Sequence, residues 1–229
     1  MFKSEVTLLK NENRRQLETL QDHDQIVINN IMKSMSIFRV NSFDAQVVHR
    51  DLIGMAQEFE LRGSSFEQSI GKDIKEFTIE IINNSLMPSK IEILLKFLIK
   101  FSSMFLLSFL VLSLGAFSSL TWDANIIIFL LYIGTTIVAF ITDEIITPLY
   151  SVEKSFKQYI PSIFSIALYL ILITIVVLLN DRESTVRIHA VYVIMISGLA
   201  YVFFSYLNIK NINKLSEGKK NHIADLIGK

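Results

Sequence analysis

The sequence predicts an all-α protein: an N-terminal cytosolic bundle of short helices followed by a four-helix transmembrane bundle. Three observations carry this prediction. Phe101–Trp122 is a run of twenty-two residues without a charge, bounded by Lys100 and Asp123. A bilayer core about 30 Å thick needs roughly 20 helical residues to cross it. Three further uncharged runs, Ala124–Thr142, Gln158–Asn180 and Ile188–Ile209, are each long enough to do the same. Finally, only three prolines and eight glycines punctuate 229 residues, which favours helix nearly throughout.

The boundaries follow from composition. Residues 1–88 read as the cytosolic helical head, 89–209 as the membrane domain and 210–229 as a lysine-rich cytosolic tail. The chain is 51% hydrophobic, more than expected of a soluble domain. Its zero net charge hides a gradient. Residues 1–88 carry ten Lys and Arg against thirteen Asp and Glu, and residues 89–229 carry twelve against nine. An acidic head argues against direct nucleic-acid binding, which needs a basic face. The chain has no cysteine, which excludes disulfides, Cys-ligated zinc and thiol catalysis. The N-terminal stretch MFKSEVTLLKNENRRQ lacks the apolar core of a signal peptide, so the head is expected to stay inside the cell.

Within the head, Ser4 to about Leu20 places Val6, Leu9, Leu17 and Leu20 at near-helical spacing. Asp22-His23-Asp24 follows. Two carboxylates around an imidazole suggest a metal or acid–base site, but an Asp before an apolar helix more simply caps its free N–H groups. The next helix shows Ile26, Val27, Ile31, Met35 and Phe38 as its apolar stripe. Asn41-Ser42 breaks it, and Ser42 or Asp44 is expected to cap a third helix carrying Val47 to Phe59 and ending at Arg62-Gly63. His49 on that helix reads as a packing or surface residue. A short turn from Ser65 to Ile70, a glycine stop at Gly71 and an Asp73 cap lead to a last helix, Ile74 to Asn84. That helix has Ile74, Phe77, Ile81 and Ile82 on one side, and Pro88 forbids its simple continuation.

The run RDLIGMAQEFELRGSSFEQSIGKDIKEF (Arg50–Phe77) resembles the HAAS domain, the HTH-associated α-helical signalling domain. The elements that carry the likeness are Gly63, Ser65, Phe66, Glu67, Ile70, Gly71, Asp73 and Phe77, with a similar upstream run from Asp24 through Ile31 to Lys33. It covers about residues 8–85. Such domains are often fused to membrane spans and encoded beside PadR-like transcription factors. The resemblance implies signalling by protein contact rather than catalysis. The expected partner-binding residues lie on the head turn: Arg62, Phe66, Glu67, Lys72 and Asp73.

In the membrane half, Lys90, Lys96 and Lys100 alternate with apolar residues, and Glu92 and Lys96 form an i, i+4 pair. Residues 89–100 therefore read as a helix that either lies at the headgroup level or runs straight into the first span. The spans are expected at about 101–122, 124–142, 160–180 and 188–208. Eleven of the twenty residues from Phe101 to Leu120 are Leu, Phe or Val, supplying about −5 kcal/mol of insertion energy. Short turns around Trp122-Asp123 and across Asn180–Arg187 make two hairpins. Ten lysines flank one side of the spans, while only Arg182 and Arg187 flank the other. The positive-inside bias therefore places both termini in the cytoplasm of a multi-pass plasma-membrane protein. Thr135 with Ala139, and Gly115 with Ser119, have a spacing that lets helices approach closely. A short amphipathic helix is plausible around His222–Ile227.

Ionisable residues at mid-span would indicate transport, and the sequence has none. Asp143 and Glu144 form an acidic pair at the cytoplasmic end of the second span, readable as a cation mouth or, more simply, as a solvated span end. There is no Gly-rich phosphate loop, His/Glu zinc spacing or serine nucleophile elbow, so neither enzyme activity nor a cofactor is expected. Three functions follow in order. The first is a regulatory membrane protein whose head binds a protein partner such as a PadR-like regulator. The second is an immunity protein that binds a toxin or pore-forming peptide within the bilayer. The third is a transporter subunit. Membrane lipid is a partner in each, and self-association to a homo-oligomer stays open.

Overall fold

The computed structural model describes residues 5–36, 38–71, 73–115, 121–153, 156–179 and 185–216. Five helices come first: α1 (Glu5–Leu17), α2 (Asp22–Ser34), α3 (Ser42–Leu61), α4 (Phe66–Ile70) and α5 (Ile74–Asn84). Then α6 runs unbroken over Lys90–Gly115. Strand β1 (Thr121–Asn125) precedes α7 (Ile126–Ile141), a π turn (Thr142–Ile146) and α8 (Thr147–Tyr150). A 3-10 turn (Phe156–Tyr159), α9 (Ile160–Leu179), β2 (Thr185–His189) and α10 (Ala190–Ser216) follow. Among the described residues the fold is all-α except for one short ribbon, and four helical segments are long and apolar enough to cross a membrane. Those segments are Lys90–Leu110, Ile133–Tyr150, Phe156–Ile175 and Val191–Leu215.

The chain divides into two compact units. One takes the chain up to Ile93, Glu144–Gln158 and the chain from Asn208. The other takes Leu94–Asp143 and Tyr159–Leu207. The first unit therefore holds more than residues 1–88. It includes the segment that links α7 to α9 and the end of α10.

The core of the first unit forms where α2 and α3 cross beneath α4 and α5. Ile28, Ile31, Leu52, Ile53, Ala56 and Phe66 are buried there, with Val152 packed against them from the linking segment. A smaller cluster joins Val6 and Phe43 to Ile212 and Leu215 of α10. The stripe expected on α2 is corrected by one position: Ile28 is buried and Ile26 is 59% exposed. At 100° per residue, Asp24, Val27 and Ile28 share a face with Ile31, whereas Ile26 lies well around the helix. Phe38 is also largely outside this core, at 38% exposed.

The caps of α3 and α5 are side-chain oxygens, and that of α3 differs from expectation. Asn41, rather than Ser42 or Asp44, accepts from the N–H groups of Phe43 and Asp44. Asp73 caps α5 as expected. Gly63 and Gly71 end α3 and α4 at φ 73° and 64°, left-handed values that cost a residue with a Cβ but not glycine.

In the second unit, β1 pairs antiparallel with β2, with Trp122 opposite Ile188 and Asp123 opposite Arg187. This corrects two expectations. Thr121–Trp122 is strand rather than the end of the first span, and the two short connections pair with each other instead of forming independent turns. The second expected span, 124–142, continues through the π turn to Tyr150. Pro148 explains the irregularity: its ring excludes the carbonyl four residues earlier and it donates no hydrogen bond, and a widened turn accommodates both. The third span matches α9. The fourth continues as α10 to Ser216, so the start of the expected tail is helix. The expected helix at His222–Ile227 and the Gly115/Ser119 pair fall wholly or partly outside the described residues.

Candidate functional site

The corner from α3 to α5 contains the residues singled out by the sequence, and most of them hold the corner together. Ser65 Oγ accepts from the N–H of Gln68 at 3.4 Å. Ser64 Oγ lies 2.7 Å from Ser69 Oγ, and Asp73 accepts from the N–H of Lys75 at 3.0 Å. Phe66 opens α4, and its N–H donates to both carboxylate oxygens of Asp24, at 3.1 and 3.2 Å. Asp24 is 1% exposed. It therefore does not cap its own helix, which Gln21 precedes without a side-chain cap. It caps a helix 42 residues away. A buried carboxylate aimed at a helix N-terminus is stabilised by the free N–H and the helix dipole together.

Phe66 is fully buried, with ring centroids 6.1 Å from Phe59 and 6.3 Å from Phe77. As a residue expected to touch a partner it is corrected to a core residue. Arg62 is accessible and pairs with Glu58 one turn back. Leu61 beside it is 89% exposed, an apolar side chain that the sequence reading passed over. Glu67 faces His23, Oε2 to Nε2 at 3.4 Å. Asp73 is exposed, and Lys72 lies outside the described residues.

Glu67 and His23 also wall a cavity of about 300 Å³, whose other lining residues are Ile26, Val27, Asn30, Ile74, Val152, Glu153 and Gln158. The last three belong to the segment linking α7 to α9, so head and linker build this site together. Lys75 Nζ holds Glu153 Oε1 at 2.6 Å beside it. That hydrogen bond keeps the Glu153 carboxyl below its ordinary pKa and the Lys75 ammonium above its own. Both side chains meet water, so solvent screens the attraction.

A second buried carboxylate makes a contact that its i, i+4 spacing to Lys96 does not announce. Glu92 is fully buried, and its Oε1 accepts the N–H of Ser42 at 2.8 Å. Asn41 and Asp44 bind the backbone of Leu86 in return, at 3.0 to 3.2 Å. The start of α3 and the start of α6 are thereby tied together. The Ser89-x-x-Glu92 spacing carried the signal, since Ser89 Oγ accepts the N–H of Glu92 at 3.2 Å as in a capping box.

In the other unit, Asp143 is not a bare span end. Its Oδ2 lies 2.6 Å from Lys100 Nζ, and Lys100 sits 5.8 Å from the centroid of the Phe140 ring. Glu144, the next residue of the π turn, belongs to the first unit and is partly buried. The close approach of α7 to α9 falls at Gly134, one residue from the expected Thr135. A Cβ on Gly134 would meet Leu172 Cδ2 at 3.0 Å.

Among the described residues no three His, Asp or Glu side chains are placed to hold a metal ion. The buried carboxylates Asp24 and Glu92 both accept backbone N–H groups, which is a structural use. Comparison of the chain with protein-family models, with curated proteins and with solved structures returned no match. The comparisons therefore add nothing to the resemblance carried by Asp24–Lys33 and Arg50–Phe77.

Proposed function

We propose that this is a regulatory protein of the plasma membrane, without catalytic activity, whose cytosolic unit binds a soluble protein partner of the DNA-binding regulator class. The single observation that carries the reading is the make-up of that unit. It takes in the start of α6, the α7–α9 linker and the end of α10, so it is connected in sequence to every candidate span. Rearrangement of the spans would reach the head through those connections, with Lys75–Glu153 and Glu92–Ser42 as the fastening points. The accessible part of the head turn, Leu61 and Arg62 with Glu67 and Asp73, is the proposed partner face. The lysine bias of the flanks supports a cytoplasmic position for this face and for both termini.

Transcript profiling tests this. Deletion of the gene and the double substitution Leu61→Glu/Arg62→Glu are expected to change one shared set of transcripts. An unchanged profile on deletion would remove the regulatory reading.

A second reading has one observation in its favour. Apolar side chains of α9 and α10 such as Leu170, Val177, Ile196 and Leu199 are 60–69% exposed, surface that lipid covers and that a membrane-inserted toxin could use instead. Under that immunity reading, deletion alters toxin sensitivity and leaves transcripts alone.

A further inference from the structure

A cleft of about 500 Å³ opens among α1, α2 and α3, and its lining includes none of the proposed partner-face residues Leu61, Arg62, Glu67 and Asp73. Its volume falls within the range of about 300–1,000 Å³ found for small-molecule sites. Lys10 and Arg14 stand on its α1 wall, with Glu18 as the only carboxylate lining it among the described residues, while Leu17 and Met32 supply apolar surface. The surrounding head has an excess of acidic residues, so the cleft reverses the local sign of charge. Arg14 gives only its Nε to Glu18, at 3.3 Å in an exposed pair, which leaves the rest of the guanidinium fork to other acceptors.

The α3 wall adds a second, independent observation. His49 lines the cleft, and its Nε2 is buried without a hydrogen-bond partner. Burial lowers the pKa of this imidazole below the ordinary histidine value, so the ring is neutral at pH 7 and can offer an N–H. A buried polar atom left unpaired costs about 1–3 kcal/mol, and a bound acceptor would remove that cost once the ring turns to meet it, since Nε2 itself is closed to solvent.

We propose that this cleft binds a small organic anion: a single carboxylate-type group, held by Lys10, Arg14 and His49, on an apolar body lying against Leu17 and Met32. Ligand binding here would stiffen the packing of α1 on α3, where Asn13 Nδ2 already bonds the Gln46 carbonyl at 2.8 Å.

The test uses the full chain in lipid nanodiscs and trifluoromethyl-benzoate as probe, followed by fluorine NMR. Saturable binding is expected. Replacing both cations, Lys10→Gln/Arg14→Gln, is expected to weaken it about tenfold or more, the loss of charged hydrogen bonds. Both side chains are at the surface, so the fold should survive. His49→Gln, which keeps an amide donor, should bind better than His49→Leu. The neutral trifluoromethyl-benzamide should not displace the probe. Absence of saturable binding, equal binding by the double variant, or equal competition by the amide would each overturn the proposal.

Discussion

Glu92 Oε1 lies 2.8 Å from the backbone nitrogen of Ser42, and the carboxylate is fully buried. One side chain on the first turn of α6 thus completes the N-terminus of α3, whose next two N–H groups go to Asn41. The interaction is short, charge-assisted and shielded from water, the setting in which a hydrogen bond contributes most.

Glu92→Ala should therefore be among the more damaging single substitutions in the head. The expected loss is about 2–4 kcal/mol, from an orphaned N–H and a cavity together. Glu92→Gln keeps an acceptor and should lose less than half of that. Thermal unfolding of the detergent-solubilised chain measures both, and an unshifted transition for Glu92→Ala would contradict the assignment.

The Lys75–Glu153 bond gives the α7–α9 linker an acid limit. The Glu153 pKa is depressed in the folded chain by the Lys75 hydrogen bond. Its contribution is complete above the ordinary glutamate value of 4.5 and is lost as pH falls through the lower folded value. The linker should become more open to proteolysis in that window. Glu153→Gln should be open at every pH and show no such step.

His49 acts in a different window with the same sign. Burial lowers its pKa from the ordinary 6.5, so the unfolded chain takes up a proton before the folded one does. Stability should decline as pH falls below 6.5 and level off once the folded-state imidazole is also protonated. Denaturant titrations across this range should show the decline in the natural chain and a flatter profile in His49→Leu.

Packing of α7 on α9 is set by Gly134, where an added Cβ would stand 3.0 Å from Leu172 Cδ2. Gly134→Val should loosen the pair by about 1–3 kcal/mol, the range for overpacking. Combining it with Leu172→Ala should recover part of the loss, since the clash is with a side-chain end that the second change removes. Equal loss in the single and double variants would mean that the pair is held elsewhere.

Much of this was legible in the sequence because it rests on local rules. Gly63, Gly71 and Asp73 act at their own positions, through left-handed backbone and a cap two residues away. The four apolar runs announced themselves by length. What escaped is non-local. Asp24 looked like the cap of its own helix and caps α4 instead. Glu92 was read as the i, i+4 partner of Lys96, and its bond to the backbone of Ser42 at the start of α3 went unseen. Phe66 looked like a contact residue because a motif drew attention to it, whereas its ring fills the core between Phe59 and Phe77. The pairing of β1 with β2 joins residues 60 to 68 positions apart, and nothing local in either marks the other as partner. For the candidate site, Glu67 and its neighbours on the turn were found, but Val152 and Glu153 were not. They lie in a linker that composition alone marks only as a connection.

The most direct test of the proposed function is chemical crosslinking of the full-length protein in its native membranes, followed by purification and mass spectrometry. The same experiment is run on the Leu61→Glu/Arg62→Glu variant. A DNA-binding regulator captured by the natural chain and lost from the variant is the expected result. Capture only of further copies of the chain, or of a membrane-inserted polypeptide equally by both forms, would contradict it.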